Sequence, residues 1–167
     1  MKLTVPYIKQ DRPYSCGPAV LQMVFKYFGI TRSEDDLIRQ LGTKKDTGTE
    51  HQPPIDAVLE EGLHCYVNND SSFDEIKYFL GLKLPVIVNF IEPTNDDGHF
   101  AVVVEINSDD IILNDPWNGK DFSLPLAEFE RRWISGHGTY RKWIAAISAA
   151  EITQGKQYHP TPDNHKQ

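Results

Sequence analysis

Four side chains of this chain have types and spacings that could do chemistry: Cys16, His99, Asp115 and Gln10. Cys16 opens the segment CGPAVLQMVFKYFG, where a helix start offers unpaired backbone N–H groups and a dipole that stabilise an anion. A thiol so placed can titrate well below about 8.5, and its thiolate is the nucleophile. The bland use of a free cysteine is as a small buried apolar residue. Gly17 keeps bulk away from the sulfur, so that a substrate backbone could approach. Gln10 lies six residues upstream in QDRPYSC. Its amide, beside the N–H of the nucleophile itself, would make a two-donor oxyanion hole. His99 follows Asp97-Gly98 and opens the run FAVVVEI, where a strand end can hold a general base within reach. Asp115, in LNDPWNG, ends the next strand and could accept the other imidazole N–H, fixing the tautomer and supporting the imidazolium. Taken singly, each has an ordinary alternative: a surface glutamine, a strand-edge histidine, an Asp-Pro turn.

Hairpin geometry constrains the pairing of His99 with Asp115. The cluster Asn107-Ser108-Asp109-Asp110 marks a turn between two strands. A loop of two or four residues sets residue 102 against residue 115, and the side chains of 99 and 115 then point to opposite faces. An odd loop, or a bulge, puts both on one face. The chemistry therefore requires an odd loop or a bulge.

The elements that must position these residues are legible in the pattern. A largely buried helix runs from Cys16 to Phe28, with Ser15 as cap, Pro18 in its first turn and Gly29 at its end. Helices follow at Glu34 to Leu41, at Gln52 to Glu61 and at Phe73 to Leu80. Their capping boxes are Ser33 with Asp36, Thr49 with Gln52 and Ser72 with Glu75. Strands are expected at Leu63 to Val67, Pro85 to Ile91, Phe100 to Ile106 and 111–115, then a helix around Leu126 to Ile134 and a strand around Lys142 to Ser148. Helices first and a mostly antiparallel sheet second is the α+β pattern. Residues 1–150 read as one domain and 151–167 as a polar, mobile tail. The loop 92–98 could act as a lid with Gly98 as its hinge, and the loop 42–51 is a second candidate for substrate contact. Tyr14 and Trp117 could line a substrate groove, while Trp133 and Trp143 belong to the core or its rim.

Bulk properties narrow the class. The chain has 167 residues and a formal net charge of −7, without the basic patch that a nucleic-acid surface needs. No run approaches the roughly 18 apolar residues of a membrane helix, and no signal pattern opens the chain, so a cytoplasmic location is expected. The 2 cysteines form no disulfide framework. Cys16, Cys65, His64 and His99 are metal-ligand types, but His64 and Cys65 are strand neighbours and point to opposite faces. No metal and no cofactor are expected.

The segment from Gln10 to Ala19 resembles the active-site motif of the C39 peptidase family, papain-like cysteine peptidases that trim double-glycine leader peptides. Further matching stretches follow in order: Thr47-Gly48-Thr49, Leu84-Pro85-Val86-Ile87-Val88, Gly98-His99-Phe100-Ala101-Val102-Val103 and Asn114-Asp115-Pro116-Trp117-Asn118-Gly119. Together they span about residues 5 to 148. The resemblance implies a papain-like fold with Cys16 as nucleophile, His99 as base, Asp115 as its orienter and Gln10 at the oxyanion hole. Its leader peptidases are usually fused to an ABC transporter, and this sequence carries no transmembrane or nucleotide-binding segment, so the double-glycine substrate is not carried over. The expected partner is a peptide or protein substrate, with association with a separate transporter left open. Acyl transfer on the same thioester, as in transglutaminase-like enzymes, and a non-catalytic peptide-binding module are the alternatives.

Overall fold

The computed structural model describes residues 2–153 together with the backbone of 157 and 158. Three helices come first: α1 (Cys16–Tyr27), α2 (Glu34–Leu41) and α3 (Gln52–Glu60). Then follow β1 (His64–Asn68), α4 (Phe73–Gly81), β2 (Val86–Ile91), β3 (Gly98–Ile106), β4 (Asp110–Asp115), β5 (Gly119–Pro125), α5 (Leu126–Arg132), β6 (Ile144–Ser148) and β7 (Gln157–Tyr158). The strands form one antiparallel sheet in the order β5-β4-β3-β2-β6-β1-β7. The α+β expectation is met. Apart from 151–153 and the short strand β7, the expected tail lies outside the described residues.

Both faces of the sheet are covered, which explains why β2 and β3 read as nearly continuous apolar runs. Directly paired residues share a face. Ile87 with Val102 turns toward α1 to α3, where Leu21, Val24, Phe25 and Leu37 pack. Val86 with Val103 and Val88 with Ala101 turn the other way, toward Ile76 and Phe79 of α4 and Phe129 of α5. Trp133 and Trp143 are both buried.

The hairpin has the feature that the chemistry requires. Ile106 pairs with Ile111 across a four-residue turn, and the register then shifts between Val103 and Glu105, so that Val103 meets Leu113 and Val102 meets Asn114. Val104 is the extra residue of a β-bulge. Its carbonyl accepts the Leu3 N–H at 2.8 Å, tying the N-terminal segment to the bulged strand. The single-residue shift puts residues 99 and 115 on the same face.

Several local expectations are corrected. Ser33 and Ser72 accept the N–H of Asp36 and Glu75 as capping boxes do. Thr49 does not cap α3: His51 occupies the cap position, and the Thr49 hydroxyl bonds that of Thr43 at 2.7 Å. Ser15 makes no side-chain cap to α1. Its hydroxyl instead closes a turn, accepting from the Arg12 N–H at 3.1 Å and donating to the Arg12 carbonyl at 3.0 Å. The strand β5 is absent from the sequence reading because GKDFSLP is a polar edge strand with only Leu124 fully buried, and an edge lacks the two-sided burial that makes a strand conspicuous.

Candidate active site

Cys16 is the first residue of α1 and is delivered there by a tightly tied turn. Arg12 reaches α2, donating to Glu34 at 2.7 Å and Asp35 at 2.8 Å, while Glu34 also accepts the Asp11 N–H at 3.0 Å. The Gln10 N–H donates to the Pro116 carbonyl at 3.0 Å, and the Tyr7 hydroxyl donates to the Asp115 carbonyl at 2.8 Å. The segment before the cysteine is thereby anchored both to α2 and to the end of β4.

His99 and Asp115 are brought together as the bulge requires. The His99 Nε2 stands 2.6 Å from Asp115 Oδ1, with side-chain exposures of 6% and 0%. That contact occupies Nε2 and leaves Nδ1 as the ring nitrogen open to an interaction with Cys16, the partner whose pKa His99 lowers. Burial alone would raise the Cys16 pKa. The charge and hydrogen bond of His99, with the Phe100 N–H, outweigh it and bring the thiol below its ordinary value. Burial likewise disfavours the imidazolium, but the Cys16 thiolate and the Asp115 carboxylate carry the His99 pKa well above its ordinary value. Asp115 is held below the usual carboxylate range despite its burial, by His99 and by the backbone and side-chain N–H groups of Asn118. The three groups thus favour a thiolate–imidazolium pair.

Behind Asp115 stands a polar support that the sequence reading did not find. Asp115 Oδ1 accepts the backbone N–H groups of Trp117 at 2.8 Å and Asn118 at 2.9 Å. The Asn118 Nδ2 bridges Asp115 Oδ2 at 3.1 Å and Glu92 Oε1 at 3.2 Å. Glu92, only 2% exposed, also accepts the N–H groups of Thr94 at 3.0 Å and Asn95 at 2.6 Å. The loop expected to be a mobile lid is therefore cross-linked by a buried carboxylate. Gly98 is no hinge: it already belongs to β3, and a Cβ there would lie 3.0 Å from the backbone of Gly136.

A cleft of about 490 Å³ opens over these groups, with Tyr14, Gly98 and Trp117 in its walls alongside Gln10, Cys16 and His99. The loop 42–51 contributes residues 45 to 51 to its walls. Ser135, Gly136 and His137 supply a wall that no sequence signal announced. The space above Gly17 belongs to Thr49, whose Oγ1 would lie 2.5 Å from a Cβ at that position. The glycine thus admits a side chain of the loop 42–51, not a substrate backbone. Gln10 is 4% exposed, and its Nε2 donates to the Arg12 carbonyl at 2.7 Å and carries one further N–H. Cys65 lies buried in β1, and burial alone raises its thiol far above the ordinary value. Among the described residues, no group of three or more potential ligands is arranged to hold a metal ion.

The profile of the Peptidase_C39 like family matches residues 2–140. The chain belongs to this family. The Peptidase_C39 like fold is the one seen in the peptidase domain of Streptococcus ComA, a bi-functional ABC transporter involved in a quorum-sensing pathway. That structure has a TM-score of 0.71 and 21% identity, and the match covers 88% of this chain and 100% of that domain. A putative C39-like peptidase from Bacillus anthracis matches with a TM-score of 0.70 and 17% identity, over 90% of this chain and all (100%) of that one. In sequence, the chain is 27% identical over 130 residues, 76% of its length, to the pediocin PA-1 transport/processing ATP-binding protein PedD of Pediococcus acidilactici. The first two curated relatives it matches are covered over only 25% and 17% of their own lengths. No helix among the described residues is long and apolar enough to cross a membrane.

Proposed function

We propose that this Peptidase_C39 like domain is a cysteine peptidase that cleaves a peptide bond through Cys16, His99 and Asp115. The observation that carries the reading is the buried His99–Asp115 pair at 2.6 Å, in a cleft whose lining also holds Cys16, the thiol that His99 brings below its ordinary pKa. The Cys16 thiolate attacks the scissile carbonyl carbon, and its oxygen takes the developing negative charge. The backbone N–H of Cys16, at the start of α1, and the free N–H of Gln10 Nε2 are the donors for that oxyanion. The His99 imidazolium then gives its proton to the leaving amine, the C–N bond breaks and a thioester remains. A water molecule, deprotonated by the same ring, attacks the thioester and releases the acid and the thiol. Asp115 keeps its charge throughout and holds the ring with Nδ1 toward the sulfur.

Alkylation of Cys16 followed by mass spectrometry across pH tests this reading without a known substrate. The parent is expected to label rapidly well below pH 8. In His99→Ala the charge and hydrogen bond that lower the Cys16 pKa are gone while burial remains, so labelling should shift above the range of an ordinary thiol. Identical pH profiles in the two proteins would rule out an activated Cys–His pair.

A further inference from the structure

Glu34 is a buried charge that the proposed reaction does not use. It opens α2, and of that helix only Leu37 and Leu41 are buried with it. A buried carboxylate is costly unless donors meet it, and two do, from consecutive residues of the segment before Cys16. Oε2 accepts the Asp11 N–H at 3.0 Å, and Oε1 accepts the Arg12 guanidinium at 2.7 Å. Asp35, the other partner of that guanidinium, has a side chain 66% exposed, and an ion pair so open to water fixes little. Glu34 is therefore the group by which α2 holds the chain at Arg12.

Arg12 in turn holds Gln10. The Ser15 N–H donates to the Arg12 carbonyl at 3.2 Å, closing a turn with Pro13 at its second position, which the fixed φ of proline suits. Pro13 also keeps the backbone of Arg12 extended. The carbonyl so aimed accepts two further donors, the Ser15 hydroxyl at 3.0 Å and Gln10 Nε2 at 2.7 Å, the shortest of the three. The amide nitrogen of a glutamine carries two N–H groups, and in a planar amide the direction of one sets that of the other. An oxyanion donor works only when it is aimed before charge develops. The chain of contacts from Glu34 through Arg12 to Gln10 supplies that aim.

We infer that Glu34 is a positioning residue for the Gln10 amide, acting through Arg12 from a helix that contributes no residue to the cleft lining. This rests on the oxyanion role proposed for Gln10 and adds the group that orients it.

The test compares two reagents at the same thiolate. With p-nitrophenyl acetate, the Cys16 sulfur bonds to the carbonyl carbon, the carbonyl oxygen becomes an oxyanion, and p-nitrophenolate leaves as the thioester forms. With iodoacetamide, the sulfur displaces iodide at the methylene carbon and no oxyanion develops. Both rates are read at Cys16 by mass spectrometry, and their ratio reports the oxyanion donors while the thiolate fraction cancels. Glu34→Gln keeps the volume but sets an amide N–H against one of the two donors. Arg12→Gln is the second variant; its side chain is 37% exposed, so the fold tolerates the change, and it decides the matter if Glu34→Gln does not fold. A donor displaced by about 1 Å can cost about a hundredfold, so the ratio should fall about tenfold or more in both, toward its value in Gln10→Ala, with alkylation unchanged. An unchanged ratio in Gln10→Ala or in either folded variant would overturn the inference. So would a parallel loss of both rates in Arg12→Gln, the mark of a residue that only keeps Cys16 in place. Failure of the peptidase reading is separate, because it appears in the pH profile of His99→Ala, on which the ratio does not depend.

Discussion

At the scale of single residues, the position of His99 depends on groups that never reach the cleft's reacting atoms. Asn118 holds Asp115 Oδ2 and Glu92 Oε1 with one amide nitrogen, and Thr94 donates its hydroxyl to Asn118 Oδ1 at 2.6 Å. Replacing Asn118 by Ala leaves two buried carboxylates each short of a donor. Hydrogen bonds to charged groups contribute about 1.5–3 kcal/mol, so the peptidase activity proposed above should fall about tenfold or more. A role confined to stability would lower the melting temperature alone. A positioning role also moves the pH midpoint of Cys16 alkylation upward, because a less well held Asp115 supports the imidazolium less. Asn118→Asp, which keeps the size but places a third carboxyl beside Glu92 and Asp115, should not restore it.

At the scale of elements, Cys16 is held by the fit of α1 against the loop 42–51. Thr49 fills the space above Gly17 and bonds Thr43, so loop and helix start are locked together. Gly17→Ala is expected to destabilise the fold by about 1–3 kcal/mol through overpacking, in spite of the better helix propensity of alanine. Thr49→Gly in the same chain removes the clash. Urea unfolding of both single variants and the double variant should give a favourable coupling of at least about 1 kcal/mol. Additive effects would mean that the close approach is not what fixes the helix start. The Val104 bulge is the second device at this scale. It turns a hairpin of even loop length into one that sets residues 99 and 115 on a common face.

At the scale of the whole molecule, one sheet separates two apolar layers, and each helix depends on strands that the opposite layer also needs. Unfolding should therefore be a single transition, with acid sensitivity built in. His51 stacks on Tyr140 at 3.9 Å, beside Phe100 and Trp143. Burial, with the nearby His137, lowers its pKa from 6.5 to about 4. Between those two values the unfolded chain binds a proton that the fold excludes, so stability falls as pH drops from about 6.5 to 4. Asp115, depressed in the fold, adds a further loss at still lower pH as it protonates. His51→Phe should flatten the decline of melting temperature between pH 6.5 and 4.5. An unchanged slope would mean that residue 51 does not drive it.

Much of this was open to the sequence alone because short-range physics governs it. The helix starting at Cys16 and its neighbours, the serine caps at 33 and 72 and the β-branched runs of β2 and β3 all follow from local pattern and composition. Cys16, His99, Asp115 and Gln10 stand out for their placement at element ends, and strand parity alone requires an odd loop or a bulge between residues 99 and 115. What the sequence did not determine is where that bulge falls, since any residue of an apolar strand can be the extra one until the N-terminal segment and the neighbouring strand close around it. The supporting roles of Glu92 and Asn118 are not legible in the sequence, because a loop carboxylate and a turn asparagine look solvated until the fold buries them against each other. Thr49 passed for a cap when it is a packing partner, and the wall from Ser135 to His137 reaches the cleft only through the chain's return along the sheet. Contacts between residues distant in sequence carry no local period, and the tertiary structure alone decides them.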